Sequence, residues 1–410
     1  MRLPEGYRRR SSSGWAGMSC CGRLRLSMNA FLRLVACVAS LLGTSLVSGA
    51  PALAQPCPTG AATCSQTAYL VPTDIDSTGA TDVSGSLTSF IASVPDRSTI
   101  EFPTGATYRL DRALKLTRRS DLSFHGNGST LNVNDGCDPR DSAFFIELSN
   151  AIAIDDFAIV GRWARGGTRD ALSTDCQNQE AIVMYGVTNV DIANLRVSRV
   201  SGDGVYIGAS GQTWSSTVSI HDTSVTAVGR NGVAITAASD VRMERNDFDA
   251  IALHVLDIEP DSAAGGATDV VFADNTIGSY GLTRLFVSYL LAANGADGST
   301  VHDVTVRDNE LFGSPLSVSI QTPGRRDIRI TGNVSEDTSG RPVLLFTEVE
   351  GLDYSGNIRI SRSPAPSGGS PDPGVDVIRP AAIGVLVIAI GVLGLGMAAA
   401  LAHARRRSHR

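Results

Sequence analysis

The sequence lacks the short motifs that mark most familiar enzyme chemistries. It contains no GxSxG, no HExxH, no phosphate-binding loop and no dinucleotide fingerprint, which removes the usual signals for a serine nucleophile, a zinc protease, a nucleotidase or a nicotinamide enzyme. Lysine is all but missing: Lys115 is the only one, against many arginines, a pattern read as the codon bias of a GC-rich genome. Positive charge is also short where it matters. Of 35 basic residues, 7 arginines precede Ala54 and 4 follow Ala402, leaving 24; of 41 acidic residues only Glu5 lies outside, leaving 40, so the body carries about −16. Such a surface repels nucleic acid and anionic lipid. Cysteine is sparse as well. Cys57, Cys64, Cys137 and Cys176 are the four in the body, and they pair most simply as Cys57 with Cys64 and Cys137 with Cys176. No CxxC and no nearby histidine support a zinc site, and His125, His221, His254 and His302 fall at no metal-ligand spacing.

The two ends differ from the body. An uncharged stretch from Leu34 to Gly49 follows an arginine-bearing segment and precedes "APALAQP", which reads as a secretory signal peptide over residues 1–54. The long leader makes Met28 a candidate initiator, and "LVAC" ending at Cys37 resembles a lipoprotein box that Arg33 interrupts. Near the other end a Pro, Gly and Ser linker (363–379) leads into an apolar run (380–402) and a basic tail, "HARRRSHR" (403–410). That run is long enough to span a bilayer with the arginines on the cytoplasmic side. The expected product is a single-pass membrane protein with an extracellular body, made of an extension (55–80) and a repetitive domain (81–362).

Within that domain the same apolar alternation recurs. Its anchors are Leu122, Ile152, Val190, Val218, Val241, Val270, Val304, Ile328 and Leu352, each opening a strand-like stretch such as "DVRMERNDF" or "DVTVRDNEL". Five positions past the anchor stands Asn127, and then Asn246, Asn275, Asn309, Asn333 and Asn357; Phe157, Leu195 and Thr223 interrupt the column. A buried asparagine at one turn of successive coils can bond to backbone groups and to its counterpart about 4.8 Å away. A second strand follows in each coil, as in "GVYIG", "GVAIT", "VLDIE" and "LFVS". Short parallel strands stacked about nine to ten coils deep form a solenoid. An antiparallel sandwich is the alternative.

These coils, the asparagine column and the segment "GATDVSGSLTSFIASVPDRSTIEFPTGATYRL" resemble the right-handed parallel β-helix proteins of the pectin-lyase-like superfamily, over roughly residues 72–362. The resemblance implies an amphipathic helix capping the amino-terminal end, and Asp82 to Val94, with Leu87, Phe90, Ile91 and Val94 on one face, fits it. It implies no single activity, since the superfamily holds lyases, hydrolases, epimerases and non-catalytic surface proteins. Of the motifs of its polygalacturonase-like branch only "SGDGVYIG", with Asp203, is here. The calcium-dependent lyase branch uses carboxylates and an arginine base.

Stacking the second strands places Tyr206, Ala234, Asp257 and Phe286 in one outward column and Gly208, Thr236, Glu259 and Ser288 in its neighbour, with Asp203 and Arg230 in the turns leading in. The candidate catalytic set is therefore Asp203, Arg230, Asp257 and Glu259. Tyr206, Phe286 and Thr236 are the candidate sugar contacts, and Asp257 with Glu259 could hold calcium. Ordinary solvent-facing charge is the competing reading for the acidic pair, local turn bonding for Asp203, ion pairing for Arg230. Two functions follow: a membrane-anchored extracellular polysaccharide lyase, hydrolase or epimerase, or a non-catalytic surface rod for glycan binding or display. Insertions at 161–180 and 260–268 would wall a cleft in the first case.

Overall fold

Alternating apolar residues in short runs demand a sheet with one face buried, and here the buried faces close on one another. The computed structural model describes residues 67–134, 141–284, 286–336, 342–360 and the backbone of 375–376; the expected signal peptide, membrane span and basic tail lie outside these. The inner coils each contribute a strand to each of three parallel ladders. The first ladder runs from Thr67–Leu70 to Asp353–Ser355, the second from Thr78–Asp82 to Ile358–Ile360, and the third from Leu114–Thr117 to Leu344–Phe346. Ser120–Val133 and Asn150–Val160 bend through the first two ladders, joining them into one sheet. Among the described residues eleven coils stack, one more than the upper end of the expected nine to ten: nine carry all three strands, with a two-stranded coil before and after them. The antiparallel alternative fails at its most direct test: Val241 pairs with Val270 in a parallel register.

The anchors form the core as the repeat requires. Val190, Val218, Val241, Val270, Val304 and Ile328 are register partners on successive coils, none more than 2% exposed. Each such side chain contributes about 1.5–3 kcal/mol by leaving water. At the amino-terminal end the helix Ser84–Ser93 stands where later coils place a third strand, burying Leu87 and Ile91, with Phe90 packed partly against the same core.

The coil turns from the first to the second ladder through one left-handed residue followed by the asparagine. Arg245, Asp274 and Asp308 have φ of 57°, 55° and 54°, and Gly332 and Gly356 take the same place. A second left-handed column stands one residue before each anchor, at Asp121, Ala151, Asn189, Thr217, Asp240, Asp269, Asp303, Asp327 and Gly351. Asp and Asn tolerate this region because their short polar side chains bond locally. Threonine does not.

The asparagines make a continuous buried ladder. Thr223 N–H donates to Asn246 Oδ1 (3.1 Å), Asn246 to Asn275 (2.8 Å), Asn275 to Asn309 (3.0 Å), Asn309 to Asn333 (3.1 Å) and Asn333 to Asn357 (3.0 Å). Each amide nitrogen is used too: Asn309 Nδ2 donates to Phe272 O and to Asn333 Oδ1. Thr223 thus belongs to the ladder, and Leu195 N–H reaches its hydroxyl at 3.2 Å. Asn127 does not. Two extra residues between His125 and Ser129 shift the register, so Ser129 faces Phe157, fully buried with its hydroxyl on Pro103 O, while Asn127 is exposed and bonds Glu101 and Phe102 O.

Two outcomes follow. Asn309→Leu strands the Asn275 N–H and the Phe272 carbonyl in the core, at about 1–3 kcal/mol for each group left unpaired; chemical denaturation measures the loss, and an unchanged midpoint would mean the column is not buried. Thr217 holds φ of 52° with a branched side chain, so Thr217→Asn is expected to stabilise the fold by about 1 kcal/mol. Equal or lower stability of that variant would contradict the strain.

Candidate functional site

The expected acidic pair lies on the third ladder, whose strands Ile182–Tyr185, Val205–Gly208, Val233–Ile235, Leu256–Ile258 and Leu291–Ala293 stack in parallel register. Val205, Val233 and Leu256 point into the core, fully buried, so Tyr206, Ala234 and Asp257 share the outer face as expected. Phe286 does not join them. Asp257 pairs with Ala292, so the strand of this coil is Leu291–Ala293, whereas residues 286–288 precede it outside any strand and Phe286 stands exposed. The misplacement has a simple cause: "LFVS" alternates as well as "LLAA" does, and only the register separates them. Ser288 leaves the column with it, and Asn294 follows Glu259, its N–H on Ile258 O.

Asp257 faces outward yet is only 5% exposed. Asn231 covers one side of it, Nδ2 donating to Asp257 Oδ2 at 3.0 Å. Asn231 in turn belongs to a second polar ladder, at the turn from the second to the third ladder of strands. Asn231 N–H donates to Asp203 Oδ1 (2.9 Å), His254 N–H to Asn231 Oδ1 (3.1 Å) and Tyr289 N–H to His254 Nδ1 (3.1 Å). The members stand two residues before their strands, as Glu180 does before Ile182. Glycine makes the stacking possible: a Cβ on Gly204 would sit 2.5 Å from Gly232 O, and one on Gly232 2.7 Å from Val255 O. Asp203, 1% exposed, is a rung of this ladder, accepting the Asn231 N–H of the next coil.

Arg230, partly buried, is the cation of the site. Burial alone would lower its pKa, but Asp203, Asp257, Glu259 and Glu180 together outweigh that and raise it. The guanidinium is therefore held as a cation among these acids. Asp257 moves the other way. Burial and then the charge of exposed Glu259 push its pKa well above the ordinary carboxylate range, with Asp203 adding to this; Arg230 and the Asn231 bond offset only part. His254 is held neutral, its pKa lowered to about 3 by burial and by Arg230, and with Nδ1 accepting from Tyr289 the ring proton lies on Nε2. Its ring stacks on Tyr289 at 5.3 Å.

The remaining expected contacts also meet here. The Tyr206 and Thr236 hydroxyls share a 2.9 Å hydrogen bond. Loops border the strands at both ends. At one end the insertion 161–180 runs past Gly229, whose carbonyl accepts from Ser173 N–H, to Arg284, which pairs with Asp170 at 3.3 Å. At the other, residues 259–265 precede the strand Gly266–Ala273 and are held by Trp214, whose Nε1 donates to Ala264 O, while buried Arg325 fastens the loop 294–299 through Ser299 O. The second insertion is thus shorter than the expected 260–268. Cys176, in the first, is disulfide-bonded; Cys137, its expected partner, lies outside the described residues. Among the described residues no group of three or more His, Cys, Asp or Glu side chains is placed to hold a metal ion. A separate open depression of about 510 Å³ lies at the asparagine turn, lined by Asp155, Asp156, Asn194 and Asp222.

Glu180, Asn231 and His254 escaped the sequence reading, which took histidines one by one. Their constant offset from each strand is the signal that finds them.

Residues 180–362 match the family model described as the right-handed β-helix region. No curated protein matches the sequence. Among solved structures the chain is similar to a family 28 exopolygalacturonase of Yersinia enterocolitica (15% identity over 72% of this chain, TM-score 0.49), spanning 62% of that protein's length. It is similar also to the A-module of the Azotobacter vinelandii mannuronan C-5 epimerase AlgE4 (18%, 64% of this chain and 75% of that one, TM-score 0.40). A third is PfbA, a surface adhesin of Streptococcus pneumoniae (14%, 73% and 93%, TM-score 0.41).

The pH dependence of stability tests the ladder. An ordinary histidine titrates near 6.5, so holding His254 neutral down to about 3 contributes stability that is complete above pH 6.5 and lost as pH falls through that window, because the unfolded chain takes up the proton first. His254→Asn keeps an acceptor for Tyr289 N–H and is expected to flatten the loss between pH 6.5 and 3 in denaturation curves. A parental slope in that variant would place the titration elsewhere.

Proposed function

We propose that this chain, a right-handed parallel β-helix protein of the pectin-lyase-like superfamily, is an extracellular carbohydrate-active protein whose third ladder carries an acid–base site for cleaving glycosidic bonds. The observation that carries this reading is the pairing of a buried carboxyl of raised pKa, Asp257, with an exposed carboxylate, Glu259, two positions along one face. One holds its proton and the other is open to water, which is the division of labour that glycoside hydrolysis requires. Alternate residues along one face have Cα atoms about 6.5–7 Å apart, close enough for their carboxyl groups to converge on one bound sugar. Asp257 would protonate the leaving oxygen and Glu259 would take a proton from the attacking water. Arg230 offsets part of the charge of the acids around it; Asn231 donates to Asp257.

Hydrolysis is favoured over elimination because a lyase needs a base beside the sugar's acidic C–H, and Arg230 is held as a cation. The leader and the apolar run at 380–402 support secretion and anchoring by a single span, with the body outside; among the described residues no helix is long and apolar enough to cross a membrane. Non-catalytic glycan binding is the second reading, favoured by the ladder role of Asp203.

Screening the protein against polysaccharides with and without calcium, by release of reducing ends and of unsaturated products, tests the reading. Glu259→Gln and Asp257→Asn are each expected to lower hydrolysis at least about 100-fold. Asp257→Asn should also become more stable relative to the parent as pH rises above the ordinary aspartate range, because a raised native pKa costs stability once the solution favours the carboxylate. Undiminished turnover in both variants would leave the pair without a chemical role.

A further inference from the structure

The outer face of the third ladder continues below the acidic pair as a row of aromatic rings. Phe145, Tyr185 and Tyr206 stand on three successive strands, partly exposed, with ring centroids 5.7 and 5.5 Å apart. Lys115, one strand further, lies over the Phe145 ring at 5.6 Å. Between the rings Val183, the register partner of Phe145 and Tyr206, is fully buried on the outer side of the sheet. Gly208 shows how two of the rings are laid. A Cβ there would come within 2.9 Å of Tyr206 Cε1 and 3.2 Å of Tyr185 Cε1, so both tyrosines rest on bare backbone. The Tyr206 hydroxyl is tied down beyond it to Thr236 Oγ1. The Phe145 and Tyr185 rings are tilted by 50° to one another, and the Tyr185 and Tyr206 rings by 56°, so the row forms a stepped apolar track. Tyr206, Ala234 and Asp257 are register partners on consecutive strands, which puts the last ring two strand spacings, about 10 Å, from the acid.

We propose that Phe145, Tyr185 and Tyr206 form a stacking platform for a neutral polysaccharide lying along the helix axis and leading into the Asp257–Glu259 site. The proposal rests on the reading of that site given above, and adds the substrate class and the direction in which the chain lies. The C–H face of an uncharged pyranose packs on an aromatic face, whose negative quadrupole attracts it. Charge selects against the alternative. Around the acids stand Glu180, Asp203 and Glu259 with a single guanidinium among them, and the body carries about −16, so a polyuronate would be repelled along its whole length. Lys115 offers the platform its one nearby ammonium, and Glu147, on the adjacent strand and column, offsets it.

Affinity electrophoresis of the full-length protein in gels containing neutral glucans, mannans or xylans, against gels containing polygalacturonate or alginate, tests this directly. Retardation is expected in a neutral glycan and none in the polyuronates. Tyr185→Leu, which keeps apolar volume without a π face, should weaken binding about tenfold at an unchanged melting temperature, and Tyr185→Phe should restore it. Binding of polyuronate as tight as that of any neutral glycan overturns the proposal, as does retention by Tyr185→Leu at parental strength, or failure to bind any neutral glycan. The two readings separate cleanly: binding that depends on Tyr185 without turnover supports the platform and removes the acid–base site, whereas turnover that depends on Glu259 but ignores Tyr185 keeps the site and removes the platform.

Discussion

Stacking identical coils imposes one constraint on everything else: whatever backbone group a turn buries, the next turn buries again about 4.8 Å away. An unpaired N–H at such a turn would cost its full desolvation once per coil. The asparagine ladder meets this by letting each Oδ1 accept from the backbone and the side chain of the coil before it. The apolar anchors then stack without interruption, because the polar turn beside them is already satisfied. Where Thr223 and Ser129 stand instead of asparagine, a hydroxyl performs part of the same work.

The second ladder answers the same constraint with unlike residues, and chemistry enters through that variation. Asp203, Asn231 and His254 each accept one N–H from the coil above, so all three types serve the scaffold equally. They differ in what remains of each side chain. Asn231 spends its amide on Asp257, and His254 stays neutral beside Arg230. The result is a carboxyl held in a dry, negatively charged setting that would be costly on an ordinary surface, carried by a framework whose stability is set elsewhere along the coil.

Much of this was legible in the sequence, and the failures are instructive. The anchor spacing pointed to the parallel solenoid, because apolar alternation has a fixed period of two; the terminal helix was expected from the family resemblance, with Leu87, Phe90, Ile91 and Val94 on one face. Asp257 and Glu259 could be placed on one face for the same reason. Ser129 was missed because the two-residue bulge that brings it to the ladder leaves Asn127 at the counted offset. Phe286 was misplaced because two adjacent apolar runs compete for one strand, and only pairing with Leu256–Ile258 decides between them. The turn between the first two ladders is so tight that two short strands read as one, "DVRMERNDF". Burial of an outward-facing aspartate depends on loops and on Asn231 from a neighbouring coil, which no local pattern records.

The central claim is that the coil architecture holds Asp257 protonated beside an ionised Glu259. Carbon-13 titration of the side-chain carboxyls, with Asp257 assigned by its absence in Asp257→Asn, measures this without a substrate. The account requires the Asp257 resonance to titrate well above the ordinary aspartate value of about 3.9, and to fall toward it in Glu259→Gln. An inflection at or below that value in the folded protein would contradict it.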